Sequence, residues 1–314
     1  MDSLLYSLNA TLPVFLVILA GYLLKRTGML TEEFVRVANR FNFTVTLPAL
    51  LLRDIAGADI RALFDGRYIL FCAGVTTVSF FGVWLVARRL LRDKAMVGAF
   101  VQASFRSSAA VLGIAFIQNV YGDAGMAPLM IVGTVPLYNI YSVLVLTFEE
   151  PAAVRDIGRI RAAFAGIVKN PIILSIAAGL LVSVAGISFP PIIDKTVGSL
   201  AAMATPLALI AIGAGFEGRQ AIAKWKPAIA ASALKLVAFA ALFLPLALLL
   251  GFRDGKLMAL LIMLASPATP SCYIMAKNMG GDGVLTSSVV VLTTLLSAFT
   301  LTGWIFLLRA GGWL

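Results

Sequence analysis

Arg106 lies inside the apolar run 96–119, about ten residues from either end. A guanidinium at that depth is strained to reach water by extension alone, and its planar fork suits paired oxygens, above all a carboxylate. Two readings compete. One pairs Arg106 with backbone carbonyls at a nearby helix break or with a carboxylate at a span end; the other has it bind an anionic ligand. The lack of an acid at its depth favours the ligand, with Ser107 and Ser108 beside it as hydroxyl donors. The segment Pro267-Ala268-Thr269-Pro270-Ser271-Cys272-Tyr273 is the second feature. Two prolines three apart remove two amide donors and force the chain out of regular helical bonding. Freed backbone at membrane depth is tolerated only where protein or a wet cavity satisfies it. A simple kinked helix is the plain alternative, but the hydroxyls of Thr269, Ser271 and Tyr273 point to a cavity lining. Asn139, in Pro136–Asn139, is either structural glue between helices, worth about 1 kcal/mol, or a substrate contact. Asn42, Thr44 and Thr46 ahead of Pro48 fit packing better.

What is missing narrows the chemistry. The chain has no histidine, and its fifteen acidic residues all fall at the ends of apolar runs or between them. No proton relay is legible without such groups in the bilayer. A carboxylate cage for Na⁺ is also missing, although hydroxyls and unwound carbonyls could hold a cation. Hydrolytic and metal-dependent catalysis lack their usual residues, and no Walker or Rossmann glycine pattern occurs, so the chain does not read as an enzyme and no metal or cofactor is expected. Cys72 and Cys272 lie in apolar runs and read as packing. Lys235, nine residues past Lys226, reads as a side chain snorkelling to the cytoplasmic surface.

These residues need elements to position them. Of 314 residues, 61% are hydrophobic and 13% charged, which excludes a soluble globular protein and predicts an all-α integral membrane protein. Apolar windows fall at 4–24, 37–56, 67–87, 96–119, 124–148, 164–187, 193–216, 226–251, 257–279 and 284–308, ten spans in all. The first lacks a basic leader and a cleavage site, so it reads as a retained helix. The net charge of +10 sits between spans rather than in a patch, which argues against nucleic acid and for membrane orientation. Counting Lys and Arg over alternate loops gives fifteen on one side and seven on the other, placing both termini outside. The charged connection 149–163 divides the chain into halves at 1–150 and 164–314. Five spans per half requires any internal repeat to be inverted. Thr46-Leu-Pro48 and Thr205-Pro206 occupy matching second spans. The fourth spans of each half both carry breakers, Ser107, Ser108 and Gly113 in one and Pro267 with Pro270 in the other.

Taken in order, Asn39–Leu51 (NRFNFTVTLPALL), Phe105–Ser108 with Gly113, Pro136–Asn139, Pro267–Ala276 and Leu295–Ser297 resemble the auxin efflux carrier family, including its bacterial malonate or malate permease-like members. The resemblance implies a 5+5 inverted repeat similar to bile acid:sodium symporters, with broken fourth and ninth helices that cross. It implies a scaffold of helices 1, 2, 6 and 7, a transport domain of helices 3–5 and 8–10, elevator-type movement, and a homodimer formed through the scaffold. One departure is that family members often carry Asn and then Pro in the fourth span, where this chain has Ser108 and, after Gly113, Ile114-Ala115.

The combined expectation is a multi-pass secondary transporter of small organic anions, either mono- or dicarboxylates such as malonate or malate or an auxin-like acid, surrounded by lipid. Its substrate would be held by Arg106, Ser107, Ser108, Asn139, Thr269, Ser271 and Tyr273 between the breaks at Gly113 and at Pro267 and Pro270. Coupling to Na⁺ stays open. The alternative is a sodium-coupled carrier of amphipathic, bile-acid-like solutes, in which Arg106 is structural.

Overall fold

The computed structural model describes residues 2–57, 65–109, 126–149, 168–216 and 218–314. Every regular element among them is a helix. In chain order these are α1 (Asp2–Arg26), α2 (Glu32–Phe41), α3 (Leu47–Ala56), α4 (Gly66–Leu90), α5 (Val97–Phe105), α6 (Ala127–Phe148) and α7 (Pro171–Ala185). They continue as α8 (Pro191–Ala214), α9 (Gly218–Ala223), α10 (Trp225–Ala233), α11 (Phe239–Leu249), α12 (Asp254–Ala265), α13 (Ser271–Asn278) and α14 (Gly283–Ala310).

Short polar side chains start the helices by accepting first-turn amides. Asp65 accepts from Tyr68 at 3.1 Å, Asn170 from Ile172 at 2.9 Å and Asp282 from Leu285 at 2.9 Å. Proline stands in the first turn of α3, α6, α7 and α8, where its missing N–H costs nothing. Among the described residues, five stretches are long and apolar enough to cross a bilayer: Gly66–Leu90, Leu129–Phe148, Pro191–Ala214, Trp225–Leu249 and Gly283–Ala310. Leu70, Phe81, Leu181, Leu242, Phe299 and Phe306 turn outward along the helices, a surface suited to hydrocarbon.

Two spans are continuous helices interrupted by a single π turn. Asn42–Thr46 joins α2 to α3, and Leu234–Ala238 joins α10 to α11. In the first, Pro48 has no N–H for the Thr44 carbonyl, and local side chains take part in the bonding instead. Thr46 donates to the Asn42 side chain at 2.8 Å, while the Asn42 amide donates to the Ala204 carbonyl of α8 at 2.8 Å. This polar cluster therefore pins α3 to α8.

Small residues set which helices meet. A Cβ on Gly213 of α8 would stand 1.9 Å from the Ile18 carbonyl of α1, and one on Gly21 would stand 2.4 Å from the Ile210 carbonyl. Gly179 of α7 abuts Leu52 and Ile55 of α3 in the same way. Hence α1, α3, α7 and α8 form one packed group. A second group gathers α4, α5 and α6, where Phe80 stacks on Tyr141 at 4.5 Å and Phe105 closes the cluster. The third region comprises α10–α14, in which Leu257–Ala265 of α12 and Ser271–Ala276 of α13 are buried throughout.

Ion pairs between different loops join loops that the alternating charge count puts on one side. Arg88 meets Glu149 at 3.0 Å and Lys224 meets Asp282 at one end; Lys256 meets Asp65 at 2.6 Å at the other. The Lys256 ammonium and the Tyr68 amide hold the Asp65 carboxyl below the usual carboxylate range.

Candidate functional site

α5 ends at Phe105, one residue before Arg106, and residues 106–108 run out of helical bonding. On the opposite side α12 ends at Ala265, and an irregular segment precedes α13. The two breaks meet: the Ser108 amide donates to the Pro267 carbonyl at 2.9 Å, and the Gln102 side-chain amide donates to the Cys272 carbonyl at 2.9 Å. Backbone groups of the α12–α13 break are thus bonded across the chain, including an Ala268 amide that donates to the Thr293 hydroxyl at 3.0 Å.

Arg106 lies at this junction, 3% exposed. One terminal nitrogen donates to the Asn139 carbonyl oxygen at 2.8 Å and to the Ser271 hydroxyl at 2.7 Å. The other donates to Ser142 at 3.4 Å and lies 2.7 Å from the Met275 sulfur. Its Nε has no hydrogen-bond partner among the described residues. All four contacts are neutral, and no described carboxylate lies within ion-pair distance. A buried guanidinium with neutral partners carries net positive charge into a low-dielectric place, which favours an anion beside it.

Beside Arg106 opens a small cavity of about 50 Å³. Its polar wall presents Arg106, Ser107, Ser108, Asn139, Thr269 and Ser271. Thr269 and Ser271 hydroxyls are 3.1 Å apart, and Ser107 donates to the Tyr138 hydroxyl at 3.2 Å. Of the two sequence readings of Asn139, the structure shows the bond between helices. Its NH₂ ties back to the Val135 carbonyl at 2.8 Å while its carbonyl oxygen holds Arg106 at the cavity wall. The facing wall is mostly apolar, with Leu47, Leu50 and Leu51 of α3 and Ala208 of α8, interrupted by Asp54 and Thr205. Pro270 lines the cavity, whereas Pro267 acts through its carbonyl and its missing N–H.

Three residues sit differently from the sequence expectation. Tyr273 is fully buried but does not line the cavity; a Cβ on Gly215 at the end of α8 would meet its hydroxyl at 2.5 Å, so the ring is turned toward that helix. Asp54, taken as a span-end acid, lines the cavity from α3 and brings a carboxylate to it. Lys235 does not snorkel: it is 0% exposed and donates to the Met263 and Leu264 carbonyls at 3.2 and 2.8 Å. Gly113 lies outside the described residues, as does most of the 149–163 connection.

The geometry of a charged cavity between two helix breaks coincides with a family match. The model of a membrane transport protein family, the auxin efflux carriers, matches residues 6–305. The chain belongs to this family. Among its relatives, an "Uncharacterized transporter" of Methanothermobacter thermautotrophicus is 24% identical over 302 residues, covering 95% of this chain and 97% of the relative. A "Putative malonate transporter" of Rhizobium meliloti is 28% identical over 324 residues, covering 96% and 95%. The "Uncharacterized transporter YfdV" of Escherichia coli K12 is 23% identical over 218 residues, covering 67% and 68%. As a member of the auxin efflux carrier family, the chain is a multi-pass membrane transporter.

Proposed function

We propose that the protein is a secondary carrier of small organic anions, mono- or dicarboxylates, bound at Arg106. The observation that carries this reading is the buried guanidinium, held only by neutral groups at a cavity wall. A carboxylate would complete its pairing, with hydroxyls from Ser107, Ser108, Thr269 and Ser271 around it and the first turn of α13 adding positive potential. The carbon chain would rest on Leu47, Leu50 and Leu51. The name of the Rhizobium relative points to malonate as the first solute to test.

In this reading the ten apolar segments form a 5+5 inverted repeat whose broken fourth and ninth helices cross. The α1, α3, α7 and α8 group would serve as scaffold and dimer contact, and the remainder would carry the substrate as an elevator. Both termini would lie outside. The helix groupings and the loop ion pairs support this arrangement.

Uptake of labelled malonate, malate, short monocarboxylates and an indole carboxylate into proteoliposomes tests the reading. Losing a buried charged contact costs about 2–5 kcal/mol, so Arg106→Ala should lower transport efficiency roughly thirtyfold or more. Wild-type rates in that variant would remove Arg106 as the anchor. Competition by bile-acid-like anions but not by small acids would favour an amphipathic substrate instead.

A further inference from the structure

Lys235 is a buried cation that the anion site does not use. It occupies the π turn between α10 and α11, with the turn's Leu236 carbonyl taken by the Trp304 indole at 3.1 Å. Its ammonium donates to the Met263 and Leu264 carbonyls in the last turn of α12. Those two carbonyls lack helical donors for identifiable reasons. Residue 267, which would donate to Met263, is proline; residue 268, which would donate to Leu264, gives its amide to Thr293 instead. Unwound carbonyls at the negative end of a half-helix are the chemistry that holds an alkali cation in carriers with broken helices. Here a side chain fills the place.

We propose that Lys235 is a tethered cation occupying a coupling-ion position, so that the protein keeps its α12 break charged without sodium. The link to substrate is short. The Met263 carbonyl also accepts from the Tyr138 hydroxyl at 3.4 Å, and Tyr138 accepts from Ser107, the neighbour of Arg106. Beside the amine is a void of about 10 Å³ lined by Thr76, Ser79 and Tyr138, roughly the size of one water. No described carboxylate lies within ion-pair distance of the amine. The hydrogen-bonded chain from the ammonium thus ends at Ser107, next in sequence to Arg106, and an anion bound there would complement both cations. This last step rests on the proposed carrier reading; the cation site itself does not.

The test is thermal unfolding of the purified protein in detergent, at one ionic strength, in choline, sodium or methylammonium chloride. Wild type should melt at the same temperature in all three. Lys235→Ala should melt several degrees lower in choline and recover saturably with millimolar methylammonium or sodium, which occupy the vacated carbonyls. Lys235→Arg should stay near wild type. A saturable sodium stabilisation of wild type, or a Lys235→Ala melt indifferent to both cations, overturns the proposal. Lys235→Gln, which keeps a donor and loses the charge, covers the case in which the alanine variant does not fold. Its uptake of whichever carboxylate wild type transports should fall at least tenfold with or without sodium, and wild-type uptake in this variant overturns the need for charge. If wild type transports none of the carboxylates, the carrier reading fails while the melting experiment still reads the cation site.

Discussion

Arg106 and Asp54 face the same cavity with opposite charges, and their balance sets what it accepts. The carboxylate reaches the cavity from α3 and is not ion-paired with any described residue, so it repels an incoming anion while Arg106 attracts it. Repulsion across a partly dry cavity is on the order of 1 kcal/mol, and more for a dianion than for a monoanion. Asp54→Asn should therefore lower KM about fivefold for a dicarboxylate and less for a monocarboxylate, measured as concentration-dependent uptake in proteoliposomes. Equal KM values for both solutes in variant and wild type would remove Asp54 from the site. Much of this site was legible in the sequence, because a charge deep in an apolar run and two prolines three apart have few structural uses. Asp54 was not, since a residue two positions from a helix end counts as interfacial until neighbouring helices are placed. Lys235 was misread for a related reason. Its spacing from Lys226 suggested reach along a regular helix, whereas the π turn directs it against α12.

At the scale of elements, helix contact is governed by where the chain omits side chains. The α1–α8 crossing is so close at Gly213 that an added methyl would meet the Ile18 carbonyl, a backbone atom that cannot swing aside. Overpacking of this kind costs about 1–3 kcal/mol. Gly213→Ala should thus lower the melting temperature in detergent by several degrees. Gly82→Ala on α4, with nothing within 4 Å of the new methyl, should leave it unchanged or slightly raised by helix propensity. Equal effects at both positions would mean that the crossing is looser in solution. The five long apolar helices were readable from hydropathy, and the α12–α13 interruption from its prolines. The π turns were not, because an extra residue in one turn leaves no compositional mark. The break after α5 was legible from Ser107 and Ser108 as breakers, though serine and arginine do not forbid helix; the Ser108 bond to Pro267 fixes the end at Phe105.

For the molecule as a whole, the two ends differ in charge and in how they are tied. The alternating count predicts that Arg89 and Lys226 share one face while Arg253 and Arg309 share the other. The pairs Arg88–Glu149 and Lys224–Asp282 tie loops of the first face, and Asp65–Lys256 ties loops of the second. A further tie on the second face is the Asp254 amide, which donates to the Trp313 carbonyl at 3.1 Å and so fixes the C-terminal residues beside the α11–α12 connection. Each ion pair brackets an even number of the apolar runs read from sequence, which agrees with the alternating count. The prediction is read by single cysteines at these four exposed positions; native Cys72 and Cys272 are buried and slow to react. With basic loops retained in the cytoplasm, a membrane-impermeant maleimide should label Arg253→Cys and Arg309→Cys in intact cells. Arg89→Cys and Lys226→Cys should be labelled only after permeabilisation. The reverse pattern would leave the ion-pair parity intact and invert the orientation; labelling of Lys226→Cys together with Arg253→Cys would break the parity itself, and with it the even division of spans on which an inverted repeat depends.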